Sequence, residues 1–334
     1  MKSTYNIYTL LKIYKHIKSR RLKLFGLLLT SKLGFRHLSL RIDPALTCNL
    51  FCTMCYFSNS ETRKKMKGRL SINEMRAVGR IFFSKAFQVV VGCGAEPTVN
   101  NDFMELLKLA VHYKVPNISI VTNGQLLRDN HIQQMIQLNI DELILSAHGL
   151  TKKNYEKFMV NGKFETFINL LETMKNNKSA MKLRINYTVN DHNLEDLRLL
   201  PQFIENYPIS TIQVRPIMDI GGKYSTLMSK DSHVKYLSII NKVKESCLKH
   251  GVILLANTSD VNYKNTNNDS SLIESVYTYI SPNTSKQLQL DFNKTTLKKY
   301  KRTVNWDKKI MKAFIFKKEK EDLNLSRSLK YDIQ

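Results

Sequence analysis

The sequence has no long hydrophobic run and only five cysteines, and both shortages exclude classes of protein. The apolar run from Leu24 to Leu29 is far too short to span a bilayer. Basic residues interrupt the first 23 positions and no small-residue cleavage site follows them, so we expect no secretory signal. Three of the five cysteines lie within eight positions, which argues against a secreted disulfide framework. We therefore expect a cytoplasmic protein.

Acidic residues are also scarce, because 28 Asp and Glu stand against 52 Lys and Arg and leave a net charge of +24. Such a charge favours a nucleic acid, an anionic membrane surface or an acidic substrate as partner. However, 38 of the basic residues are Lys, and lysines spread over solvated helix faces explain the excess without a polyanion site. The sequence therefore allows a nucleic-acid partner but does not favour it.

Residues 4–33 have apolar side chains at helical spacing with basic residues between them. Such a segment can lie on a membrane surface, so peripheral membrane contact is one alternative. Packing against the rest of the fold is the simpler interpretation. No transmembrane segment is expected.

A regular alternation of β-branched runs and amphipathic stretches begins at Leu38. Six strands are predicted, at Leu38–Asp43, Phe87–Val91, Asn117–Thr122, Glu142–Ser146, Lys182–Thr188 and Thr211–Pro216. Each precedes a predicted helix, at Ser71–Lys85, Phe103–Tyr113, Arg128–Leu138, Phe164–Asn176, Leu194–Asn206 and His233–His250. Such alternation implies a parallel sheet with right-handed crossovers.

We therefore predict an α/β protein with a partial (β/α)6 TIM-like barrel. Residues 1–35 are expected to form an N-terminal helical extension and residues 36–255 the barrel core. Residues 256–334 are expected to be short and partly irregular, either a basic accessory tail or a small subdomain.

Local signals refine several of these elements. Ser71 and Glu74 form a capping-box pattern, and Pro201 predicts that its helix kinks or starts late. Residues 257–271 are rich in Asn, Ser, Thr and Asp, which indicates a loop or linker. A short helix is predicted at Leu272–Ile280.

Three thiols, those of Cys48, Cys52 and Cys55, follow the first predicted strand with C-x3-C-x2-C spacing. Thiolates are soft donors that suit an iron–sulfur cluster or zinc. A structural zinc site needs a fourth Cys or His nearby, whereas the next cysteine is Cys93 and the nearest downstream histidine is His112. A cluster held by three thiolates leaves one iron open to a further ligand.

This loop resembles the signature of the radical S-adenosylmethionine (SAM) superfamily, and the barrel resembles that of its SPASM-type members. The resemblance implies a [4Fe–4S] cluster on the three cysteines and SAM on the open iron. It also implies an iron–sulfur oxidoreductase that cleaves SAM reductively to a 5′-deoxyadenosyl radical, with flavodoxin or ferredoxin as electron donor. Met54, inside the loop, is expected beside the cofactor.

Further motifs follow in the order that the resemblance predicts. The segment Gly92-Cys-Gly-Ala-Glu-Pro97 is similar to the family's Gly-Gly-Glu-Pro motif, with Ala95 in place of one glycine. Glycines allow close approach of the backbone to the cofactor's methionine end, and a carboxylate receives an ammonium group. The resemblance thus implies SAM contacts by Gly94, Ala95, Glu96, Pro97, Ser146 and Asn186.

Other side chains near strand ends are candidates for the substrate side of the reaction. Cys93 is a candidate hydrogen donor, and small-residue packing is its alternative role. Tyr56 and Arg215 are further candidates, and Arg215 could hold a carboxylate or phosphate. Less specific candidates are His148, Tyr187 and Asp219.

The chain departs from many peptide-modifying members of the family, because no cysteine follows Cys247 to hold an auxiliary cluster. A peptide and a small metabolite or sugar are both compatible as substrates. Modification of a nucleic acid is a third interpretation. A non-catalytic metal-binding module is the alternative from a different class.

Overall fold

The computed structural model describes residues 17, 19–224, 226–256, 276–316 and 332–333. The chain divides into two compact units, each assembled from separate stretches of sequence. The first unit consists of Met1–Leu46, Gly68–Ser119 and Lys264–Leu329. The second consists of Thr47–Lys67, Ile120–Tyr263 and Lys330–Gln334.

Strands and helices alternate along the described chain. The strands are β1 (Leu38–Ile42), β2 (Ala86–Val91), β3 (Asn117–Thr122), β4 (Glu142–Ala147), β5 (Lys182–Val189), β6 (Ile209–Pro216), β7 (Ile253–Ala256), β8 (Tyr277–Ile280) and β9 (Asp332–Ile333). The helices up to β5 are α1 (Arg20–Lys32), α2 (Ser60–Lys65), α3 (Ile72–Phe82), α4 (Phe103–His112), α5 (Asp129–Gln137), α6 (Lys152–Phe158) and α7 (Phe164–Asn177). Those beyond β5 are α8 (Leu200–Asn206), α9 (Lys230–Lys249), α10 (Thr284–Gln287), α11 (Leu297–Thr303) and α12 (Trp306–Phe316).

The sheet of the first unit has β1 in the middle, with β8 and β2 on its two sides. Both pairings are parallel, and Leu40 is in register with Val89 on β2 and Thr278 on β8. Leu38, Leu40 and Ile42 are fully buried or nearly so, which is typical of a strand covered on both faces.

Helices from the two ends of the described chain pack together in the first unit. Leu24 and Leu27 of α1 form a small core with three residues at the C-terminal end, namely Trp306, Ile310 and Ala313. The predicted packing of the N-terminal segment therefore applies to α1, whereas residues 4–16 lie outside the described residues. Within the part of the chain that the structure describes, no helix is long and apolar enough to cross a membrane.

The second unit contains β4, β5, β6 and β7 as parallel neighbours in sequence order, with β9 antiparallel to β7. Buried and partly exposed residues alternate along β5, so Leu183, Ile185 and Tyr187 share its buried face. Strand β3 begins in the first unit and ends in the second.

The six predicted strands and the helices between them are present within a few residues of their expected ends. The capping box at Ser71 is confirmed by reciprocal bonds with Glu74. The effect of Pro201 is also confirmed, because Leu194–Leu199 is a 3₁₀ helix and α8 starts only at Leu200.

The helix predicted at Leu272–Ile280 is wrong over Tyr277–Ile280, because these four residues form a strand. Its alternating aromatic and β-branched residues pair in parallel with β1, and this long-range pairing outweighs the local helical pattern. Residues 272–275 lie outside the described residues.

A buried histidine links these elements in the first unit. His37 Nδ1 lies 2.7 Å from the Phe35 carbonyl oxygen and must donate to it, so Nε2 accepts from Lys301 Nζ at 2.7 Å. Burial lowers the pKa of His37 from 6.5 to about 4, against the opposing effect of the Phe35 bond. The folded protein therefore holds the neutral imidazole.

Because the unfolded chain protonates near pH 6.5 at this position, His37 stabilises the fold above that pH. As the pH falls from about 6.5 to about 4, we expect up to about 3 kcal/mol of this contribution to the free energy of unfolding to disappear. Urea unfolding of His37→Gln across this range should show a shallower pH dependence than the unaltered protein. A His37→Gln protein whose stability falls as steeply with decreasing pH as that of the unaltered protein would contradict the prediction.

Candidate functional site

The three-cysteine loop lies in the second unit and has little regular structure before the 3₁₀ turn at Tyr56–Ser58. Its backbone is fixed to the end of α6, because Phe51 N donates to Val160 O at 3.0 Å and Thr53 N to Phe158 O at 2.9 Å. Cys48, Cys52 and Cys55 are half-buried and are not in disulfides. The loop therefore carries three thiols on a backbone whose position is fixed by these hydrogen bonds.

Arg63, on α2, organises the carbonyl groups of this loop. Its guanidinium donates to Cys48 O at 2.8 Å, to Leu50 O at 2.9 Å and to Phe57 O at 3.2 Å. The same group stacks on the Phe51 ring, with 3.8 Å between Cζ and the ring centroid. The planar fork of an arginine suits such multiple bonding, and a lysine would not reproduce it.

Donors surround the Cys48 sulfur. Leu50 N lies 3.4 Å from Cys48 Sγ and Asn123 Nδ2 lies 3.7 Å from it. Asn123 is itself oriented by a 2.9 Å bond from Nδ2 to Asn49 Oδ1. Donors of this kind stabilise a thiolate, the form that binds iron.

The third thiol, that of Cys55, has opposing influences on its charge. Burial raises the pKa of Cys55, whereas the Phe57 N–H and the positive charge of Arg63 oppose that rise. Among the described residues, no three His, Cys, Asp or Glu side chains are placed to hold a single metal ion. Each cysteine ligand of a [4Fe–4S] cluster binds a different iron, so convergence on a single ion is not a requirement for a cluster. Three soft donors on one short loop fit that group.

A second segment, residues 222–224, packs on the back of the loop. Tyr224 N donates to Thr53 O at 2.8 Å, and Lys223 N donates to Ser58 Oγ at 2.8 Å. The Ser58 hydroxyl in turn donates to Cys55 O at 2.7 Å, so it links Lys223 N to the backbone of Cys55. At Gly222 the approach is so close that an added Cβ would lie 2.6 Å from the carbonyl carbon of Met54.

Two candidates within the loop have their own packing. Met54 is buried with Phe158 and Ile217, and its Sδ accepts from Asn190 Nδ2 at 3.0 Å. Tyr56 is half-buried beside the Phe57 ring, with 4.8 Å between the ring centroids. A direct role of either residue toward cofactor or substrate stays a prediction.

Ser146 and Asn186 are directly opposite each other on β4 and β5. Asn186 Oδ1 accepts from Arg184 Nε at 2.9 Å, and Arg184 also bonds to the Gln213 side chain. The amide of Asn186 is therefore oriented by the arginine two residues before it. Arg184 and Asn186 are both partly exposed and lie on the same face of β5.

The remaining candidates of the second unit differ in exposure. His148 has a buried Nδ1 without a hydrogen-bond partner, and burial lowers the pKa of His148 to about 4 with the charge of Arg215 adding to the effect. Arg215 and Asp219 are exposed. Tyr187 is fully buried and donates to Asn193 O at 2.8 Å, so its hydroxyl stabilises a turn of the fold.

In the first unit, the Gly92–Pro97 motif follows β2 as a sharp turn. Gly92 has a φ of +85°, which favours glycine, and its N–H donates to Ile42 O at 2.8 Å. Cys93 is exposed, whereas Glu96 is buried. Glu96 Oε1 accepts from Thr98 N at 3.1 Å and from Thr98 Oγ1 at 2.6 Å, so this carboxylate shapes the turn.

Sequence reasoning did not identify three residues that hold these segments, namely Asp43, Arg63 and Gly222. The adjacent glycines at 221 and 222 were a usable signal, because a glycine outside a predicted element often marks close backbone approach. Arg63 had no such signal, since its partners are up to 15 positions away along an irregular loop.

Three free thiols thus lie on one loop that follows the first strand of a chain in which parallel strands and helices alternate. Residues 42–203 match the family model described as "Radical SAM superfamily". This match covers 162 residues, just under half of the chain, and identifies that stretch as a radical SAM domain.

Curated relatives are distant and cover only part of the sequence. A probable GTP 3′,8-cyclase of Metallosphaera sedula is 25% identical over 188 residues, which is 56% of this chain and 58% of the relative. The chain thus spans less than two thirds of that protein. A probable GTP 3′,8-cyclase of Saccharolobus solfataricus is 21% identical over 224 residues, covering 64% of this chain and 70% of the relative.

Solved structures share the fold. SuiB of Streptococcus suis is similar with a TM-score of 0.57 at 19% identity, over 75% of this chain and 59% of SuiB. SuiB bound to its precursor peptide SuiA gives a TM-score of 0.58 at 18% identity, over 98% of this chain and 73% of SuiB. The structure of anSMEcpe with bound AdoMet gives 0.53 at 21% identity, over 64% of this chain and 63% of that protein. The predicted α/β class with a partial TIM-like barrel is confirmed.

The contact at Gly222 gives a direct test of how the cysteine loop is held. In Gly222→Ala, the new methyl group would lie 2.6 Å from one backbone atom of the loop and 2.8 Å from Thr53 O, so the loop must move. We expect a loss of about 1–3 kcal/mol in stability and a lower iron and sulfide content after anaerobic reconstitution.

The matched control is Gly221→Asn, because an added Cβ at Gly221 meets nothing within 4 Å and Asn tolerates its φ of +81°. This variant should keep its iron. Equal iron content in both variants would show that the Gly222 contact does not govern the loop.

Proposed function

We propose that this protein uses a [4Fe–4S] cluster on Cys48, Cys52 and Cys55 to cleave SAM reductively and start a radical reaction on its substrate. The observation that carries the proposal is the three-thiol loop itself, held by Arg63 on one side and by residues 222–224 on the other. The loop lies within the residues that match the superfamily. Cys48, Cys52 and Cys55 would hold the cluster, and cluster and SAM would together supply the one-electron chemistry that starts hydrogen abstraction from the substrate.

The residues of the chain have separate tasks in this proposal. Arg63 and the donors to Cys48 Sγ hold the loop and favour thiolates without themselves binding iron. In the first unit, the turn formed by Gly94, Ala95, Glu96 and Pro97 would offer backbone groups to the methionine end of SAM. The buried Glu96 fixes that turn through Thr98.

In the second unit, Ser146 and Asn186 would contact the nucleoside part of SAM. Their opposed positions on β4 and β5 support a shared task. Arg184 supports the assignment of Asn186, because it holds the side-chain oxygen and thereby orients the amide. Cys93, Tyr56 and Arg215 are proposed on the substrate side, and the exposure of Cys93 is compatible with hydrogen donation.

The substrate class is proposed from the comparisons. A peptide is favoured, because the likeness to SuiB bound to precursor peptide SuiA extends over 98% of this chain. A nucleotide is the second candidate, because the curated relatives carry the name GTP 3′,8-cyclase. An acidic one-electron donor such as flavodoxin or ferredoxin would suit the strongly positive net charge.

Anaerobic reconstitution with iron and sulfide tests the central proposal. We expect about four irons per chain and dithionite-dependent conversion of SAM to 5′-deoxyadenosine. Each of Cys48→Ser, Cys52→Ser and Cys55→Ser should lower this activity by about a hundredfold or more, because each removes one cluster ligand.

The control is Cys247→Ser, since Cys247 is buried and that burial raises the pKa of its thiol to about 12. This variant should keep both cluster and activity. A colourless, zinc-loaded protein that never cleaves SAM would instead support the non-catalytic metal-binding module.

Substrate candidates can be separated with the same preparation. GTP and short synthetic peptides encoded beside the gene should be added in turn, each deuterated at its C–H positions. Transfer of deuterium into 5′-deoxyadenosine identifies the substrate, and the peptide is the expected donor. Deuterium transfer from GTP but not from any peptide would contradict the peptide proposal and favour a nucleotide substrate.

A further inference from the structure

A buried carboxylate in the first unit has a role that the cysteine loop does not explain. Asp43 follows β1 directly and has no exposed surface. Its Oδ1 accepts from Cys93 N at 2.6 Å, and its Oδ2 accepts from Gly94 N at 3.0 Å. The Tyr279 hydroxyl donates to the same Oδ2 at 2.6 Å. The carboxylate therefore fixes the backbone of the turn that follows β2 through hydrogen bonds.

The chemistry of these contacts indicates an ionised carboxylate. The backbone amides and the hydroxyl act here as donors, and a protonated acid would have to give up one of them. Burial raises the pKa of Asp43, while the bonds from Tyr279, Cys93, Gly94 and Ala95 oppose that rise. Successive backbone N–H groups aimed at one anion form a concave nest, which fixes the path of the chain.

Tyr279 comes from a distant part of the sequence. It lies on β8, which pairs in parallel with β1, so the carboxyl ends of the two strands are adjacent. The backbone completes the link, because Asp43 N donates to Ile280 O at 2.9 Å. Residue 279 lies well beyond the matched residues 42–203, yet it touches the carboxylate that holds the Gly92–Pro97 turn.

We propose that Asp43 and Tyr279 are positioning residues for SAM, which act by holding the backbone of Cys93 and Gly94 in its binding conformation. This inference rests on the proposed function, in which the same turn contacts the methionine end of SAM. It assigns a task to the C-terminal strand β8, which completes the support of the turn from outside the superfamily domain. Neither side chain needs to touch the cofactor.

The test uses the reconstituted protein and three variants. Tyr279→Phe removes only the donated O–H and keeps the ring. Asp43→Asn replaces one acceptor oxygen by an NH2 group that faces a backbone N–H. Tyr277→Phe is the matched control, because it lies on the same strand and its ring contacts the Arg41 guanidinium at 5.1 Å.

We expect the dissociation constant for SAM to rise about tenfold in Tyr279→Phe and about a hundredfold in Asp43→Asn. At saturating SAM, the rate of cleavage in Tyr279→Phe should stay within about twofold of the unaltered protein, because a positioning defect appears in KM before kcat. The change that SAM induces in the electron paramagnetic resonance spectrum of the reduced cluster should need correspondingly more SAM. Hydrogen exchange at the amides of Cys93 and Gly94 should accelerate in both variants.

The outcomes distinguish a failure of the positioning role from a failure of the proposed function. If the unaltered protein cleaves SAM and Tyr279→Phe matches Tyr277→Phe in SAM affinity and amide exchange, the positioning role is wrong and the proposed function stands. If the unaltered protein holds a cluster but neither binds nor cleaves SAM, the proposed function fails and this inference fails with it. If Asp43→Asn does not fold, the SAM affinity and amide exchange of Tyr279→Phe alone decide whether the positioning role is correct.

Discussion

The three-thiol loop depends on one guanidinium. A stretch without a strand ladder or a long helix leaves its carbonyl groups unpaired, and a buried carbonyl without a donor is costly. Arg63 supplies donors to three of them at once and covers its own charge with the Phe51 ring. This arrangement links the backbone at Cys48, Leu50 and Phe57, which lie on both sides of Cys52 and Cys55 along the loop. The donor that shapes the proposed cluster site is therefore a residue with no task in binding iron.

Two other arginines also donate to several backbone carbonyl groups at once. Arg36 donates to the carbonyl groups of Phe83, Ala86 and Tyr113, and Arg80 to those of Phe292, Asn293 and Thr295. Asp43 is the counterpart of opposite charge, because it collects amide N–H groups where the arginines collect carbonyls. Charge-assisted bonds of this kind are stronger than neutral ones, so a few side chains hold irregular segments that regular ladders do not reach.

Most of the strand pattern and the cysteine loop were predictable from sequence, because both are local signals. The run Asn117–Thr122 was predicted with its observed ends, since β-branched residues there are bounded by Asn and Gly. The supports of the loop were not predictable, since Arg63 and Gly222 act on partners that only the folded chain brings near. Strand β8 was mistaken for a helix for the same reason, because its partner β1 lies more than 200 residues earlier.

The arginine contacts also change how the positive charge is interpreted. A polyanion site needs cations that face solvent and are free to meet phosphates. Arg36, Arg63 and Arg80 instead bind main-chain carbonyls of their own fold, so three of the 14 arginines stabilise structure first. Arginine is the residue best suited to bidentate phosphate contact, whereas most of the excess charge is lysine. The charge is thus better explained by a solvated lysine surface with structural arginines beneath it than by a nucleic-acid groove.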